Sequence, residues 1–392
     1  MRFSLLRSSF DKVLSNFYMK TFKAGNRINQ GTYKSFQPNK INRKWEIESM
    51  ELLNLLSQAD RQLGRLDMYS EYIPNIDLFI SMHVLKEATQ SSKIEGAKTN
   101  IEDALLDIND VNDEKRDDWE EVQNYIQALN TAITNLEKLP FSSRLLRETH
   151  KTLLQGVRGK HKLPGEFRSS QNWIGGASIN DATFIPPIHS DINEYMSDLE
   201  KFAHNTETYF PDLLKIALIH YQFETIHPFL DGNGRVGRLM ITLYLVEKEI
   251  LKKPILYLSD FFERNKTLYY DNLTRVREKD DILQWFKFFL VGVIETAKNS
   301  ISTFDNILKL QKDIDTKIQT LGSRSNNAQI IMKHLFQRPI IDLQKVKELT
   351  NLSSPSAYKL IDDIESLGII TEITGAKRGK IYMFREYTKL FE

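Results

Sequence analysis

Apolar residues recur at three- and four-residue intervals from about Trp45 to Phe304, and this spacing constrains the fold more than any other feature of the chain. Alternating runs of β-branched residues are few over the same range. Because a period near 3.6 residues places apolar side chains on one face of a helix, we predict one mainly α-helical body. The predicted helices cover residues 47–66, 78–95, 119–136, 142–154, 191–202 and 212–222.

Length, charge and composition exclude several classes of protein. At about 150 residues per domain, 392 residues allow two or three domains. The chain has 53 basic and 52 acidic side chains, so its net charge of +1 gives no overall bias toward nucleic acid or acidic lipid. It has no cysteine, which excludes disulfides, thiolate metal sites and a cysteine nucleophile. It also lacks a run of about 18 apolar residues, so we expect no membrane partner.

The first 45 residues form a strongly basic segment, with ten Lys and Arg side chains and the single acidic residue Asp11. Asp11 interrupts the apolar start, so we predict no export signal and expect a cytoplasmic protein. We interpret residues 1–34 as a poorly ordered extension, as chain termini often are. Contact with a membrane surface or with nucleic acid is the alternative.

A long segment rich in glycine and proline, residues 156–189, interrupts the helical pattern. Its five glycines and three prolines exclude a continuous helix. Since irregular segments of this length inside a compact body usually carry function, we expect a functional loop here.

The stretch 227–238, HPFLDGNGRVGR, is the most informative part of the sequence, and an apolar helix is predicted after it at 239–246. Its glycines, Gly232 and Gly234, allow the backbone to approach an anion closely. The N-terminus of the following helix presents N–H groups and a positive dipole end to the same anion.

The charged residues of this stretch also suit phosphate chemistry. Arg235 and Arg238 are three residues apart, so they share a helix face and can donate to phosphate oxygens. Asp231 supplies a carboxylate suited to Mg²⁺, and His227 can move a proton near neutral pH. A lone histidine at a helix end or a Gly-Asn-Gly turn is usually structural, but the combination within twelve residues is far more specific.

The stretch matches every defined position of the Fic motif, His-x-Phe-x-(Asp/Glu)-Gly-Asn-Gly-Arg-x-x-Arg, so the chain resembles the Fic family. Residues 91–96, SSKIEG, resemble the inhibitory motif (Ser/Thr)-x-x-x-Glu-(Gly/Asn) of that family. Residues 164–168 and 184–187 resemble the segments around its flap. The resemblance covers about residues 35–300.

The resemblance implies a helical bundle with a small β-hairpin flap, and AMP transfer from ATP to a Ser, Thr or Tyr hydroxyl of a target protein and of the enzyme itself. By similarity His227 is the general base and Asp231 is the ligand of Mg²⁺, while Phe229 fills the core beneath the loop. The ATP- and phosphate-binding residues implied by the resemblance are Asp231, Gly232, Asn233, Gly234, Arg235, Val236, Gly237, Arg238, Tyr269 and Arg277.

The resemblance also implies an inhibitory helix at about 86–96, with Ser91, Glu95 and Gly96 in its motif. A glutamate paired with Arg238 would occupy the donor that the γ-phosphate needs and would repel that phosphate. The alternative is a purely structural salt bridge. In some relatives the same glutamate supports removal of AMP, so an enzyme that mainly removes AMP stays open.

The flap is expected to bind the target protein as an added β-strand through main-chain hydrogen bonds. The residues predicted for this contact are Asp181, Ala182, Thr183 and Phe184.

The last 70 residues have a different pattern, in which three short helices precede a β-hairpin. This order predicts a winged-helix domain, an α+β unit that contacts DNA or a protein. Residues 325–392 carry ten basic and eight acidic side chains, and only residues 377–380 form a basic group. A DNA-binding regulator with a Fic sensor domain is therefore an alternative function. Transfer of phosphate, uridylate or phosphocholine, which occurs in other relatives, is a further alternative function, but the complete motif disfavours it.

We predict five segments along the chain, and we expect a homodimer. The segments are a basic extension (1–34), an N-terminal helical region (35–140), a Fic catalytic core (141–300), a linker helix (301–324) and a winged-helix domain (325–392).

Overall fold

The protein is mainly α-helical in a computed structural model, which describes residues 22–73, 76–156, 160–207 and 209–392. The first 21 residues of the predicted basic extension lie outside the described residues. The helices are α1 (Met50–Tyr72), α2 (Ile76–Ile94), α3 (Ile101–Leu105), α4 (Arg116–Asn135), α5 (Ser143–Leu153), α6 (Ile192–His204), α7 (Asp212–Ile226), α8 (Asn233–Glu247), α9 (Ser259–Arg264), α10 (Lys266–Lys279), α11 (Ile282–Gln319), α12 (Ser325–Gln337), α13 (Leu343–Thr350), α14 (Ser354–Ser366) and α15 (Arg385–Thr388). The strands are β1 (Gly25–Asn29), β2 (Lys34–Pro38), β3 (Ile340–Asp342), β4 (Thr371–Glu372) and β5 (Ile381–Met383).

Helix α7 lies at the centre of the helical body. Every residue from Leu213 to Ile226 is buried, which requires a helix that is covered on all sides. Helices α6, α8 and α11 pack against it, and the Trp285 indole on α11 donates a hydrogen bond of 2.8 Å to the carbonyl of Ala217. His227, the residue that follows α7, is therefore attached to a helix that is buried along almost its whole length.

Two helix boundaries next to the Fic-like motif differ from the prediction. Helix α7 continues to Ile226, whereas the periodicity predicted an end at residue 222. Helix α8 begins at Asn233, six residues before the predicted start. The run Gly-Asn-Gly-Arg has low helix propensity. In the fold, however, Arg235 and Arg238 are buried among partners, and this tertiary environment overrides the local preference.

The long segment predicted as a loop forms no regular helix or strand over its described residues, apart from single 3₁₀ turns. Its only pairing there is an antiparallel bridge between Ile174 and Phe184, which makes a narrow β-hairpin. The hairpin β1–β2 lies beside it, because the Phe36 N–H donates to the carbonyl of Ile185 at 2.8 Å.

The C-terminal residues form the predicted three helices and hairpin, with one additional strand. In the three-stranded antiparallel sheet the order is β3-β5-β4, so the unpredicted β3 pairs with the central strand. The sequence pattern missed β3 because its partner β5 lies far along the chain, so that β3 belongs to no local hairpin. The assignment of this unit to the winged-helix class stays a prediction.

The C-terminal unit packs directly against helix α2. The Phe79 and Phe336 rings meet edge to face at 5.7 Å, and the Ser81 hydroxyl donates to the carbonyl of Gln337 at 2.8 Å. At the far end of the chain the Phe391 ring lies 5.1 Å from the ring of His83. These contacts fix the N-terminal half of α2.

The predicted division into five segments is not tested by the fold. The hairpin β1–β2 crosses the predicted boundary at 34/35, and α11 continues without interruption across 300/301. None of the described helices combines the length and the apolar character that crossing a membrane requires.

We predict that buried histidines, His83 and His220 among them, make the stability depend on pH. Burial lowers the pKa of both His83 and His220 to about 3, from 6.5. As the pH falls, these histidines bind protons at a higher pH in the unfolded chain than in the folded protein. Their contribution to the free energy of unfolding is therefore complete above pH 6.5 and is lost as the pH falls toward 3. At pH 5 the expected loss is about 2 kcal/mol for each histidine.

Thermal melting at pH 7 and pH 5 measures this loss. His220→Gln should reduce the difference in melting temperature, whereas His189→Gln, at an exposed position, should leave it unchanged. An equal melting temperature of the parent protein at both pH values contradicts the prediction.

Candidate functional site

His227 lies directly after α7 in the left-handed conformation, at φ 50° and ψ 60°. Its backbone N–H still donates to the carbonyl of Phe223 at 2.9 Å, so the residue caps the helix and reverses the chain. A non-glycine residue in this region is uncommon and is often found at functional sites. Among the described residues, its buried Nδ1 has no hydrogen-bond partner.

Arg168 holds the backbone of His227 in this conformation. The Arg168 side chain donates to the carbonyls of His227 at 3.0 Å and of Pro187 at 2.5 Å, and its own N–H donates to the carbonyl of Pro228 at 2.9 Å. Burial lowers the pKa of Arg168 to about 10, which leaves it charged at neutral pH. Arg168 belongs to a segment that resembles the surroundings of the flap, and its sequence pattern predicts no role for it.

Asn233 closes the loop between the two central helices. Its side-chain oxygen accepts from the N–H of Phe229 and its amide donates to the Phe229 carbonyl, both at 2.8 Å. Asn172 adds a third bond to that carbonyl at 2.9 Å. The Phe229 ring is fully buried beneath the loop, as predicted. Asn233 therefore uses its side chain to fix the loop.

Asp231 projects its carboxylate from this loop, and its side chain is 46% exposed. The Gly232 N–H donates to Asp231 Oδ1 at 2.6 Å, and the Arg235 guanidinium lies 3.7 Å from the same oxygen. Arg235 is itself almost fully buried and also contacts Glu121 on α4 at 3.3 Å. Asp231, the predicted metal ligand, and Arg235, a predicted phosphate ligand, are therefore adjacent.

Arg238 is buried beneath α2, where Ser91 and Glu95 surround it. Its Nε donates to the Ser91 hydroxyl at 2.8 Å, and its Nη2 donates to the Ser91 carbonyl and to Glu95 Oε1, also at 2.8 Å. The side chain of Arg238 is 1% exposed and that of Glu95 is 37% exposed. Gly96 follows with φ 105° and ends the turn. The structure therefore brings together the residues that the two motifs predicted.

The carboxylate of Glu95 lies at the N-terminus of α8, directly above Gly234. A Cβ atom at Gly234 would be 2.2 Å from Glu95 Oε1, so only glycine allows this approach. Burial by itself raises the pKa of Glu95, but the charge and hydrogen bond of Arg238 outweigh that effect and the pKa is lowered overall. The ionised carboxylate of Glu95 therefore occupies the position at which the N-terminus of a helix can bind phosphate.

Glu224 is a second carboxyl group near Arg238, and the sequence analysis did not identify it. A Cβ at Gly237 would be 2.2 Å from Glu224 Oε1, so the two helices approach closely at this point. Burial raises the pKa of Glu224 to about 7, and the charge of Arg238 opposes this rise. Among the described residues, Glu224 Oε1 has no hydrogen-bond partner.

His227 is electrostatically suited to be neutral at physiological pH. Burial lowers its pKa to about 4, and the charges of Arg277 and Arg168 act in the same direction. A neutral imidazole can accept a proton, which a general base must do. Binding of a polyanion nearby would raise this pKa toward neutrality.

Tyr269 and Arg277 lie on α10 next to the site. Tyr269 is buried, and its hydroxyl bonds with Nε2 of His220 at 2.8 Å. Because Nδ1 of His220 lies 2.8 Å from the Gly237 carbonyl, which can only accept, Nδ1 carries the proton and Nε2 accepts from Tyr269. Tyr269 therefore connects α10 to the core, while the neighbouring Tyr270 is 40% exposed.

The predicted flap residues run from the tip of the hairpin to its β-bridge at Phe184, where Arg277 packs against them. Asp181 and Thr183 are exposed, and Ala182 is half-buried between them. Phe184 is buried, with the guanidinium of Arg277 3.9 Å above its ring, and both of its main-chain polar groups bond to Ile174. The exposed edge of the hairpin is therefore formed by the residues before Phe184.

Within the described residues no three His, Asp or Glu side chains converge as a metal cluster. Asp231, a partly exposed carboxylate next to the N-terminus of α8, fits Mg²⁺, which takes few protein ligands and shares the oxygens of bound phosphates.

Two regions of the chain match family models. Residues 53–134 match the model described as Fic/DOC family N-terminal, and residues 140–245 match the Fic/DOC family model. The second region contains the whole loop and both arginines described above. The chain therefore contains an N-terminal domain and a core domain of the Fic/DOC type.

Curated relatives named protein adenylyltransferase Fic resemble part of the chain. One from Aedes aegypti is 30% identical over 32% of this chain and 22% of its own length, and one from Drosophila yakuba is 28% identical over 49% and 34%. A probable protein adenylyltransferase from Aquifex aeolicus is 27% identical over 38% and 44%. The matched region thus spans less than half of each of these relatives.

Two crystal structures share the fold. A Fic family protein from Desulfovibrio desulfuricans G20 has a TM-score of 0.55 and 20% identity, over 87% of this chain and 98% of that one. A Fic domain containing signaling protein from Bacteroides thetaiotaomicron has a TM-score of 0.51 and 19% identity, over 63% and 95%. At these identities the likeness shows the fold alone.

Proposed function

We propose that this protein is an adenylyltransferase that moves AMP from ATP to a hydroxyl group of a protein and that its own α2 inhibits it. The observation that carries the proposal is the anion site at the start of α8, where a carboxylate already sits between Gly234 and Arg238. The names of the curated relatives support the same chemistry.

The reaction needs a base that removes the proton of the attacking hydroxyl, and it needs groups that stabilise the leaving pyrophosphate. The target hydroxyl attacks the α-phosphorus, the bond between that phosphorus and the bridging oxygen of pyrophosphate breaks, and His227 takes the hydroxyl proton. Neutral His227 is ready for this step, because its pKa is about 4 and its backbone is fixed by Arg168.

The start of α8 would hold the phosphates. Backbone N–H groups around Gly232 and Gly234 present the positive end of the helix dipole, and Arg235 and Arg238 add two guanidinium groups on one face. Asp231 would hold Mg²⁺, which neutralises charge shared by the α- and β-phosphates when it is bound.

Inhibition follows from competition for one guanidinium. While Glu95 accepts from Arg238 Nη2, that donor is not available to a γ-phosphate, and the carboxylate repels the phosphate charge. ATP would then bind in a position that does not support in-line attack. The exposed edge of the hairpin at Asp181 to Thr183 would take the target segment as an added strand.

Transfer of isotope from ATP labelled at either the α- or the γ-phosphorus tests the proposed chemistry. The protein, incubated with Mg²⁺ and each ATP, is analysed by intact-mass spectrometry and by gel autoradiography. We expect label from the α-position and an adduct with the mass of one AMP unit. Label from the γ-position would indicate a phosphotransferase instead, and UTP and CDP-choline as donors test the other Fic chemistries.

A further inference from the structure

His150 on α5 lies directly beneath the phosphate-binding loop, and the sequence analysis gave it no role. It is fully buried. Its ring stacks on the ring of Phe229, with centroids 3.8 Å apart and planes inclined by 8°. Gly232 lies next to the ring, since a Cβ there would be 3.5 Å from His150 Cδ2.

Two hydrogen bonds fix which nitrogen of His150 carries the proton. The N–H of Gly165, which can only donate, lies 2.8 Å from Nδ1, so Nδ1 is the acceptor. Nε2 lies 3.0 Å from the carbonyl oxygen of Asp231, which can only accept, so Nε2 carries the proton. Burial lowers the pKa of His150 to about 4, in agreement with a neutral ring.

The hydrogen bond from His150 to the Asp231 carbonyl orients the peptide unit between Asp231 and Gly232. In a trans peptide the C=O and the N–H point in opposite directions. Because His150 holds the Asp231 carbonyl from below, the N–H of Gly232 must point to the opposite side, where it meets the Asp231 carboxylate at 2.6 Å. If the peptide flipped, it would turn a carbonyl oxygen toward the phosphates.

We propose that His150 is a positioning residue for nucleotide binding, and that its Nε2–H, by holding the Asp231 carbonyl, keeps the Gly232 N–H on the side of the peptide that faces the Asp231 carboxylate and the phosphate site. The proposal rests on the proposed function, because it concerns the same ATP site. His150 also joins two separate segments, since Gly165 belongs to the long loop that ends in the hairpin.

Three substitutions separate this role from simple packing. His150→Gln places an amide donor near the position of Nε2 and can still reach the Asp231 carbonyl. His150→Asn places an acceptor near the position of Nδ1 and satisfies Gly165, but it is too short to reach Asp231. His150→Phe keeps the stack on Phe229 and loses both hydrogen bonds.

The experiment measures Mg–ATP binding by calorimetry, and KM and kcat for AMP transfer, in Glu95→Gly protein that carries each substitution. We expect His150→Gln to stay within about threefold of the parent Kd, and His150→Asn and His150→Phe to weaken binding and raise KM about tenfold, as loss of one hydrogen bond does. Thermal melting identifies any variant that does not fold. If the Asn variant does not fold, the comparison of Gln with Phe decides.

Equal affinity of the Gln and Phe variants would overturn the proposal, and so would parent affinity in the Asn variant. If the parent binds Mg–ATP but transfers no AMP, the proposed function fails and the affinities still judge His150. If the parent does not bind Mg–ATP, both proposals fail.

Discussion

Replacing His227 with alanine is expected to abolish detectable AMP transfer while leaving ATP binding nearly intact. Loss of a general base typically costs about 10²- to 10⁴-fold in rate. The imidazole is the proton acceptor in the proposed reaction, whereas the phosphates are held by the start of α8 and by the arginines. The expected result is therefore a loss in kcat with little change in the Kd of Mg–ATP.

Intact-mass spectrometry after incubation with ATP and Mg²⁺ measures the loss, and calorimetry measures binding. His189→Ala is the matched control, because His189 is exposed on the 3₁₀ turn before α6 and should retain full activity. AMP transfer by His227→Ala at the parent rate would show that another group takes the proton. A large loss of ATP affinity would instead assign His227 to binding.

Replacing Glu95 with glycine is expected to raise self-modification with AMP by about 5- to 150-fold, the range that coupling free energies of ~1–3 kcal/mol produce. The substitution removes the carboxylate from its position above Gly234 and frees the one N–H of Arg238 Nη2 that Glu95 accepts from. It leaves the two bonds from Arg238 to Ser91 in place, so the guanidinium stays oriented.

A graded series of variants separates charge from packing. Glu95→Gln keeps the size of the side chain and removes the negative charge, so we expect an increase smaller than that of Glu95→Gly. Intact-mass time courses at equal protein concentration provide the measurement, and melting curves exclude unfolding as the cause. Equal or lower modification of Glu95→Gly would remove support for inhibition and favour a structural salt bridge. Faster loss of AMP from modified parent protein than from Glu95→Gly would favour the reverse reaction.

The site was predictable where chemistry is local in sequence. The twelve residues 227–238 include the proposed base, the acidic residue, the glycines and both arginines of the motif, and the structure places them around one helix N-terminus. Glu95 was predictable only through its resemblance to a known motif, because it lies 143 positions from Arg238 along the chain.

The residues that position the site could not be predicted from periodicity. Arg168 and His150 act through backbone carbonyls of the loop, and such contacts leave no spacing pattern in the sequence. Tyr269, in contrast, was predicted from the resemblance to contact the nucleotide, but its hydroxyl bonds to His220 in the core. The sequence alone does not show whether an aromatic residue lies on the side of its helix that faces the core.

The way α2 is held has a consequence for the time course of the reaction. The C-terminal unit fixes the first half of the helix, and buried Glu87 fixes its middle through Tyr125 and Ser259, at 2.8 and 2.6 Å. Glu95 lies just beyond the last helical residue, on a turn that ends at Gly96. The carboxylate can therefore leave Arg238 by movement of one turn, and loop motions in folded proteins take about 1 ns to 1 μs. Typical enzymatic turnover takes about 1 ms to 1 s, so opening and closing would equilibrate many times in each catalytic cycle. Progress curves of the inhibited protein should accordingly be linear from the start, with a reduced slope and no lag.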